Sequence, residues 1–491
     1  MTRRVALLLG ATSAADYVAQ LLLPALLVRT LTPADFGGYR ILWMVAQTAV
    51  LLLSLNMALN LIYLVPQQPK ERRGAVLGTV LAYLLVAGSL AAWLAGPLLS
   101  AVTGTELDRL LPPWALPLFV CAWMVSLPFD QIALVAGQPR IQAKFTLAQT
   151  AIRIALLGGA AWFTRSLSGL AVALITLAVL RLFAVLVFAK SSGAFPALRV
   201  DAKLAVSQVR YGVGFGLGAS LFALRSQVDA WIAAAMLDPI AVATISIALA
   251  IVPIIGVIRQ AFTNATVSEV ARLIAAHQPH AALQINRDAN LSTALLVFPL
   301  IGAFIALAPD AIALVYTPAY AAAALPAQLY AAAYAICVLE MSTVVQALGD
   351  GRFVMRSGAL MLACGTAGAA LGANVWGLPG IALGSLFAMW LGSALNIHHV
   401  IVRCQRSLAS IQAWAEMAWL LGLSAASAAS SGLLLTHFAH GSYLQRTLAG
   451  GCAFVVIHGV LAISVPPIRR LHVRQWRARV ARPSPLASSH S

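Results

Sequence analysis

Arg153, Arg181 and Arg225 lie inside long apolar runs, where an ionised side chain is costly and normally faces protein or water. A guanidinium offers paired N–H donors that match phosphate oxygens, so the chemistry these residues suggest is anion binding. Arg153 and Arg181 have no acidic partner one turn away on their own segment. Arg225 has Asp229 one turn on, so a static ion pair competes with a binding role there. Arg259 lies near the end of its run and is expected to snorkel to the interface. Acids also occur in apolar runs: Asp130, and Asp16, Asp229 and Glu340, which are candidates for coupling to an ion gradient.

Neutral polar residues cluster around these charges. At about 100° per residue, Thr12, Ser13, Asp16 and Gln20 fall on one stripe, as do Asn56, Asn60 and Tyr63. Thr146, Gln149, Thr150 and Arg153 form a third stripe, and Gly214, Gly218, Arg225 and Asp229 a fourth; Gln131 follows Asp130. Two readings stand. The stripes line a hydrated cleft, in which Arg153, Arg181 and Arg225 meet an anion and Asn56, Asn60, Gln131 and Gln149 meet a neutral polar group. Alternatively they are interhelical hydrogen bonds, worth on average about 0.6 kcal/mol each.

Signs of enzymatic chemistry are missing. Nothing resembles a nucleophile–base pair, and no G-x-x-x-x-G-K-[ST] phosphate loop occurs. The Gly212 to Gly218 run lacks dinucleotide spacing; its small-xxx-small pairs suit close helix packing. The five cysteines have no C-x-x-C spacing, and His398 and His399 suit an interface better than a metal site. No catalytic residue, cofactor or metal is expected.

The elements that must carry these residues follow from composition. The 491 residues are 61% hydrophobic and 10% charged, against about 45–50% and about 25% in soluble domains, so most of the surface must face lipid. The net charge of +17 sits in short clusters between apolar runs, which argues against nucleic acid. Fourteen runs are long enough for the roughly 20 residues that a helix needs to cross a bilayer; they include 5–28, 115–136, 326–348 and 447–466. With the N-terminus in the cytoplasm, 23 of the 32 lysines and arginines fall in inner segments and five in outer ones. The basic tail after Pro467 then also lies inside, which requires an even number of spans.

An internal repeat is visible. Leu31-Thr32-Pro33-Ala34-Asp35 after the first run matches Leu237-Asp238-Pro239-Ile240-Ala241 after the seventh, at an offset of 206. Gly137-Gln138-Pro139-Arg140 after the fourth matches Gly349-Asp350-Gly351-Arg352 after the tenth, at an offset of 212. Each offset spans six runs, so the repeats share one orientation. The expected fold is an all-α polytopic membrane protein with two parallel six-helix bundles around a central cavity. The expected division is 1–190, a cytoplasmic linker 191–210, 211–402, two added helices in 403–466, and a tail at 467–491. The linker reads equally as an interfacial helix or a solvated basic loop.

The stretch from Val28-Arg29 through Leu31-Thr32-Pro33-Ala34-Asp35-Phe36-Gly37-Gly38-Tyr39 resembles the first connection of the bacterial polysaccharide-transport flippases. These form a branch of the multidrug/oligosaccharidyl-lipid/polysaccharide exporter superfamily. The Gly-Gln-Pro-Arg and Gly-Asp-Gly-Arg turns and Tyr316-Thr317-Pro318-Ala319-Tyr320 are similar to that family too. The resemblance implies alternating access and an undecaprenyl-pyrophosphate-linked oligosaccharide as substrate, its pyrophosphate held by cavity arginines. It also implies a bacterial inner-membrane location and, as partners, membrane lipids, a polysaccharide polymerase and chain-length proteins. It transfers no cavity residue, so the site residues rest on the helical faces alone. The rivals are a drug or cation antiporter and a peptidoglycan-precursor flippase of the same superfamily, and, from another class, a membrane polysaccharide polymerase or ligase.

Overall fold

A computed structural model describes residues 3–103, 112–437 and 441–464. The side chains of residues 3–10, 13, 63, 101–103, 210–219, 221 and 222 lie outside the described set. The side chains of Ser13, Tyr63, Gly214 and Gly218 and the tail at 467–491 are therefore not described. No strand occurs among the described residues.

Among the described residues, each of the fourteen apolar runs is mainly helical. In chain order they are α1 (Arg3–Leu27), α2 (Pro33–Leu53) with the short α3 (Met57–Leu64), α4 (Lys70–Thr103), and α5 (Ala115–Val125) with the one-turn α6 (Ile132–Val135). Then come α7 (Pro139–Thr164), α8 (Leu167–Ser191), α9 (Ala202–Met236), α10 (Pro239–Ala248) with α11 (Val252–Ala275), and α12 (Pro279–Tyr316). The last are α13 (Ala324–Tyr334) with α14 (Ser342–Ala347), α15 (Gly351–Trp376), α16 (Leu378–Cys404), the one-turn α17 (Leu408–Ile411), α18 (Trp414–His437) and α19 (Tyr443–Ser464).

Ten stretches are long and apolar enough to cross a bilayer, and the fold is that of a multi-pass membrane protein. The runs that fall short among the described residues are the first, fourth, fifth and seventh. Of these, the fourth is interrupted by the 3-10 turn at Leu127–Asp130 and the fifth carries Gln149 and Arg153.

Packing divides the chain into two compact units: Met1–Ala250 with Met355–Ala388, and Ile251–Val354 with Met389–Ser491. Both are discontinuous in sequence, a different kind of division from the six-helix repeats.

In the first unit, the motif after α1 is a helix-start device. Thr32 caps α2 by accepting from the Asp35 amide at 3.1 Å and donates to the Asp35 carboxylate at 2.6 Å. Pro33 occupies the first helical position, where its missing N–H costs nothing. The matched stretch does the same for α10, with Asp238 accepting from the Ala241 amide at 2.6 Å and Pro239 following. These two starts meet: a Cβ on Gly37 would overlap the Pro239 carbonyl. In the same unit the facing parts of α15 and α16 are joined through Gly372 and Gly380, each placed so that an added Cβ would overlap the other's backbone.

In the second unit, α12 is the central element. Val297, Phe298 and Ile301 pack with Ile255 of α11 and with Met417 and Leu420 of α18. A second cluster joins Val270, Leu283, Val344 and Val400.

Candidate functional site

Helix α1 presents Asp16 to α7, and a network closes on its carboxylate. Arg153 Nη2 lies 2.8 Å from Asp16 Oδ1, and the Thr150 hydroxyl donates to the same oxygen at 2.6 Å. Gln20 Nε2 donates to Oδ2 at 2.8 Å. The third stripe thus meets the first, as a helical-face argument allows. Arg153, without a partner on its own helix, takes one from another. The guanidinium is the more enclosed member, its side chain 11% exposed against 24% for Asp16. Gln149 sits half-buried on α7.

The second site lies at a break in the fourth run. Between α5 and α6 the chain passes through a 3-10 turn at Leu127–Asp130 that includes Pro128. Gln142 of α7 stitches this break, donating to the Phe129 carbonyl and accepting from the Ala133 amide, both at 3.2 Å. Asp130 projects from the break to Arg181 of α8, with Nη2 and Oδ2 2.7 Å apart. The Arg181 guanidinium also lies 4.4 Å from the Trp123 ring centroid and 5.0 Å from that of Phe129, within cation–π range. Its side chain is 3% exposed, whereas that of Asp130 is 49% exposed. The arginine is fixed and the acid faces open space. Gln131 is half-buried beside it.

The tenth run breaks in a corresponding way. After α13 a 3-10 turn, Ala335–Val338, precedes α14, and Glu340 stands in the gap. Arg259 Nη1 is 2.7 Å from Glu340 Oε2, so Arg259 has an acidic partner on another element. The other carboxylate oxygen accepts from the Ser342 hydroxyl and from the Thr343 amide. The Glu340 carbonyl accepts from Asn286 at 2.7 Å and Asn290 at 3.0 Å, both on α12. Both broken runs end on a left-handed glycine, Gly137 with φ 77° and Gly349 with φ 74°, a backbone state that needs no strain from glycine. An interrupted helix in each of two matched segments is the arrangement by which transporters place polar backbone at a binding site.

On α9, Arg225 and Asp229 converge on one residue of α16. Arg225 Nη2 reaches the Ser385 carbonyl at 3.4 Å, and the Ser385 hydroxyl donates to Asp229 Oδ2 at 2.5 Å. Both charged residues are buried. Ser385 is a third member that the helical-face argument could not supply.

The face expected of Asn56, Asn60 and Tyr63 is altered by a break after α2. Leu55 and Asn56 take positive φ, and the Leu53 carbonyl is capped by the Tyr83 hydroxyl at 2.8 Å. Asn60 still bonds back to Asn56 along the backbone at 2.9 Å, but its side chain is buried while that of Asn56 is exposed. The two therefore do not present one common surface. His399 lies 3.3 Å from Asp350 and stacks on Phe353 with ring centroids 3.8 Å apart.

Sequence reasoning missed Gln142, Asn286, Asn290 and Ser385. The first three had a usable signal, being amides near or within apolar helices; Ser385 had none. The second unit also contains an apolar cavity of about 440 Å³ between α12 and α18, lined by Phe298, Ile301, Ile305, Leu421 and Ala428 with Gln328 at its edge.

No protein-family model matches this sequence, and no curated protein matches it. Solved structures do match. A lipid II flippase, MurJ, in an inward closed conformation aligns with a TM-score of 0.70 at 11% identity, over 93% of this chain and 99% of that one. An inward-facing multidrug resistance MATE family transporter of the MOP superfamily aligns with a TM-score of 0.60 at 14% identity, over 79% and 94%. The MATE multidrug transporter DinF-BH gives 0.55 at 15% identity, over 81% and 95%. The likeness is one of fold: the chain has the polytopic helical architecture of these transporters.

Proposed function

We propose that this chain flips an undecaprenyl-pyrophosphate-linked oligosaccharide across the bacterial inner membrane by alternating access, for export of a surface polysaccharide or exopolysaccharide. Both termini lie in the cytoplasm in this reading, and a polysaccharide polymerase and chain-length proteins take the product onward. The observation that carries it is the set of three arginine–carboxylate pairs, Arg153–Asp16, Arg181–Asp130 and Arg259–Glu340, the last two at breaks in helical runs.

In the pairs of Arg153 and Arg181 the guanidinium is enclosed and the acid is the more exposed member. A pyrophosphate approaching from open space would compete with the acid for the arginine. Arg225, held only through a carbonyl at 3.4 Å among the described contacts, is a third anion ligand in this scheme. Asn56, Gln131 and Gln149 meet the sugar; the buried Asn60 does so only where the helix break after α2 opens. Asp16, Asp229 and Glu340 set how free the basic groups are, and so link the cycle to bound cations. The lipid tail stays in the bilayer in this scheme.

The test is export of surface polysaccharide by Arg153→Ala and Arg181→Ala expressed at wild-type level. Each is expected to lower export about ten-fold or more, the scale of a charge-assisted bond worth about 1.5–3 kcal/mol. Wild-type export from both removes the anion site.

A second reading, a peptidoglycan-precursor flippase, is favoured by one observation. The lipid II flippase aligns over 93% of this chain, whereas the two MATE structures align over 79% and 81%. Deletion of the gene separates the two: loss of viability favours the precursor flippase, and a viable strain lacking surface polysaccharide favours the first reading.

A further inference from the structure

The second unit holds a polar cavity that the transport reading does not use. It measures about 270 Å³ and lies between the first turns of α12 and the connection from α16 through α17 to α18. His280, Gln284, Arg287 and Asp288 line one side, and Arg406 and Glu416 the other. Leu283 and Leu291 of α12 add apolar surface.

The depth of this cavity follows from helix length. With 38 residues, α12 is about 57 Å long at 1.5 Å per residue, so it outruns a hydrocarbon core of about 30 Å. His280, Gln284, Arg287 and Leu291 follow one another at helical spacing on one face, which passes from polar to apolar as it descends. On the facing side, the Trp414 indole N–H donates to the Leu408 carbonyl at 2.7 Å, and tryptophan is enriched where headgroup meets hydrocarbon. The Arg406 amide bonds back to the Ile401 carbonyl at 3.1 Å, which fixes the turn that presents its side chain.

The charges lining the cavity do not neutralise one another. Among the described residues, none of Arg287, Asp288, Arg406 and Glu416 makes an ion pair within 4 Å. Two guanidiniums and two carboxylates sharing one small space are complementary to a molecule that carries both signs. Basic pockets between helices at a membrane surface take anionic lipid headgroups; the two acids here add a place for an ammonium. A volume of 270 Å³ falls below the about 300–1,000 Å³ of pockets that enclose whole drug-sized ligands, so it suits a headgroup whose chains leave along the apolar face.

We propose that this cavity binds the headgroup of an aminophospholipid, with the phosphodiester at Arg287 and Arg406 and the primary ammonium at Asp288 and Glu416. The site is independent of the lipid-linked sugar, since none of its residues belongs to the three ion pairs.

The test uses the full-length protein in detergent, with thermal unfolding followed during titration with dihexanoyl lipids. The phosphatidylethanolamine form is expected to raise the Tm at lower concentration than the phosphatidylcholine or phosphatidylglycerol forms. Arg287→Gln/Arg406→Gln is expected to weaken all three by about ten-fold or more, equivalent to about 1.4 kcal/mol. Asp288→Asn/Glu416→Gln is expected to keep phosphatidylglycerol binding and to erase the preference for ethanolamine. A wild-type protein that responds equally to the three lipids, or a preference that survives both double variants, overturns the proposal. Glycerophosphoethanolamine acting as strongly as the lipid also overturns it, because the occupant would then be a soluble phosphoamine. If either double variant fails to unfold cooperatively, native mass spectrometry of the wild type in mixed lipid decides. Selective retention of the ethanolamine lipid is expected there, and unselective retention overturns the site.

Discussion

Asp16 touches three partners from two helices, and its loss should be felt in two ways. The Asp16–Arg153 contact joins α1 to α7 at 2.8 Å, so Asp16→Asn and Arg153→Gln should be non-additive in stability, with a coupling of about 0.5–3 kcal/mol in a thermal double-mutant cycle. The two substitutions should act oppositely on anion binding. Removing the acid frees the guanidinium, so Asp16→Asn is expected to bind geranyl pyrophosphate, a soluble probe of the proposed substrate's head, several-fold more tightly than wild type. Arg153→Gln is expected to bind it more weakly. Weaker binding by both variants would mean that the pair serves only to hold α1 on α7. The residue types of this site were legible in the sequence, because a charge in an apolar run stands out. The partners were not: a search along one helix sees only neighbours one turn away, and Arg153, Arg181 and Arg259 all pair with acids on other elements.

Among the elements, the two broken runs were half legible. Their ends could be seen, since Gly137 and Gly349 begin turns that only a residue at ease with positive φ closes well. Of their interruptions, the first carried a signal in Pro128 and the second none, because Ala335–Val338 is apolar enough to pass for continuous helix. The amide of Gln142 explains how the first break survives in the membrane, where an unsatisfied backbone group is expensive. Gln142→Leu is of similar size but leaves the Phe129 carbonyl and the Ala133 amide without that partner, so a loss of about 1–3 kcal/mol for each buried group is expected in thermal unfolding. An unchanged Tm would show that the break needs no stitch. At the start of α2, Thr32→Ala removes the cap of the Asp35 amide and should cost about 1 kcal/mol. Thr32→Ser keeps the hydroxyl and should recover most of it.

For the whole molecule, composition settled the class, since 61% hydrophobic residues cannot be covered by a 10% charged surface in water. Apolar length alone was a coarser guide. Among the described residues ten stretches satisfy it, and the fourth run falls short because a 3-10 turn interrupts its helix. The orientation is open to direct measurement. Single cysteines placed at Lys70, Arg272 and Arg352 in an otherwise cysteine-free chain are expected to react with an impermeant thiol reagent only from the cytoplasmic side, and one at Arg165 only from outside. The reverse pattern would invert the protein. A mixed pattern would break the assignment of spans between the labelled positions.

The joint between α15 and α16 carries a consequence for traffic. At Gly372 and Gly380 the two backbones lie so close that not even a methyl group fits between them. A greasy tail trailing sideways from a polar head needs a slit along which it can slide, and a seam narrower than one carbon atom offers none. The part of this seam that runs from Gly368 and Gly384 to Gly372 and Gly380 is therefore closed to such a tail, and a bulky side chain wedged into it would test the strength of the joint without clearing a path.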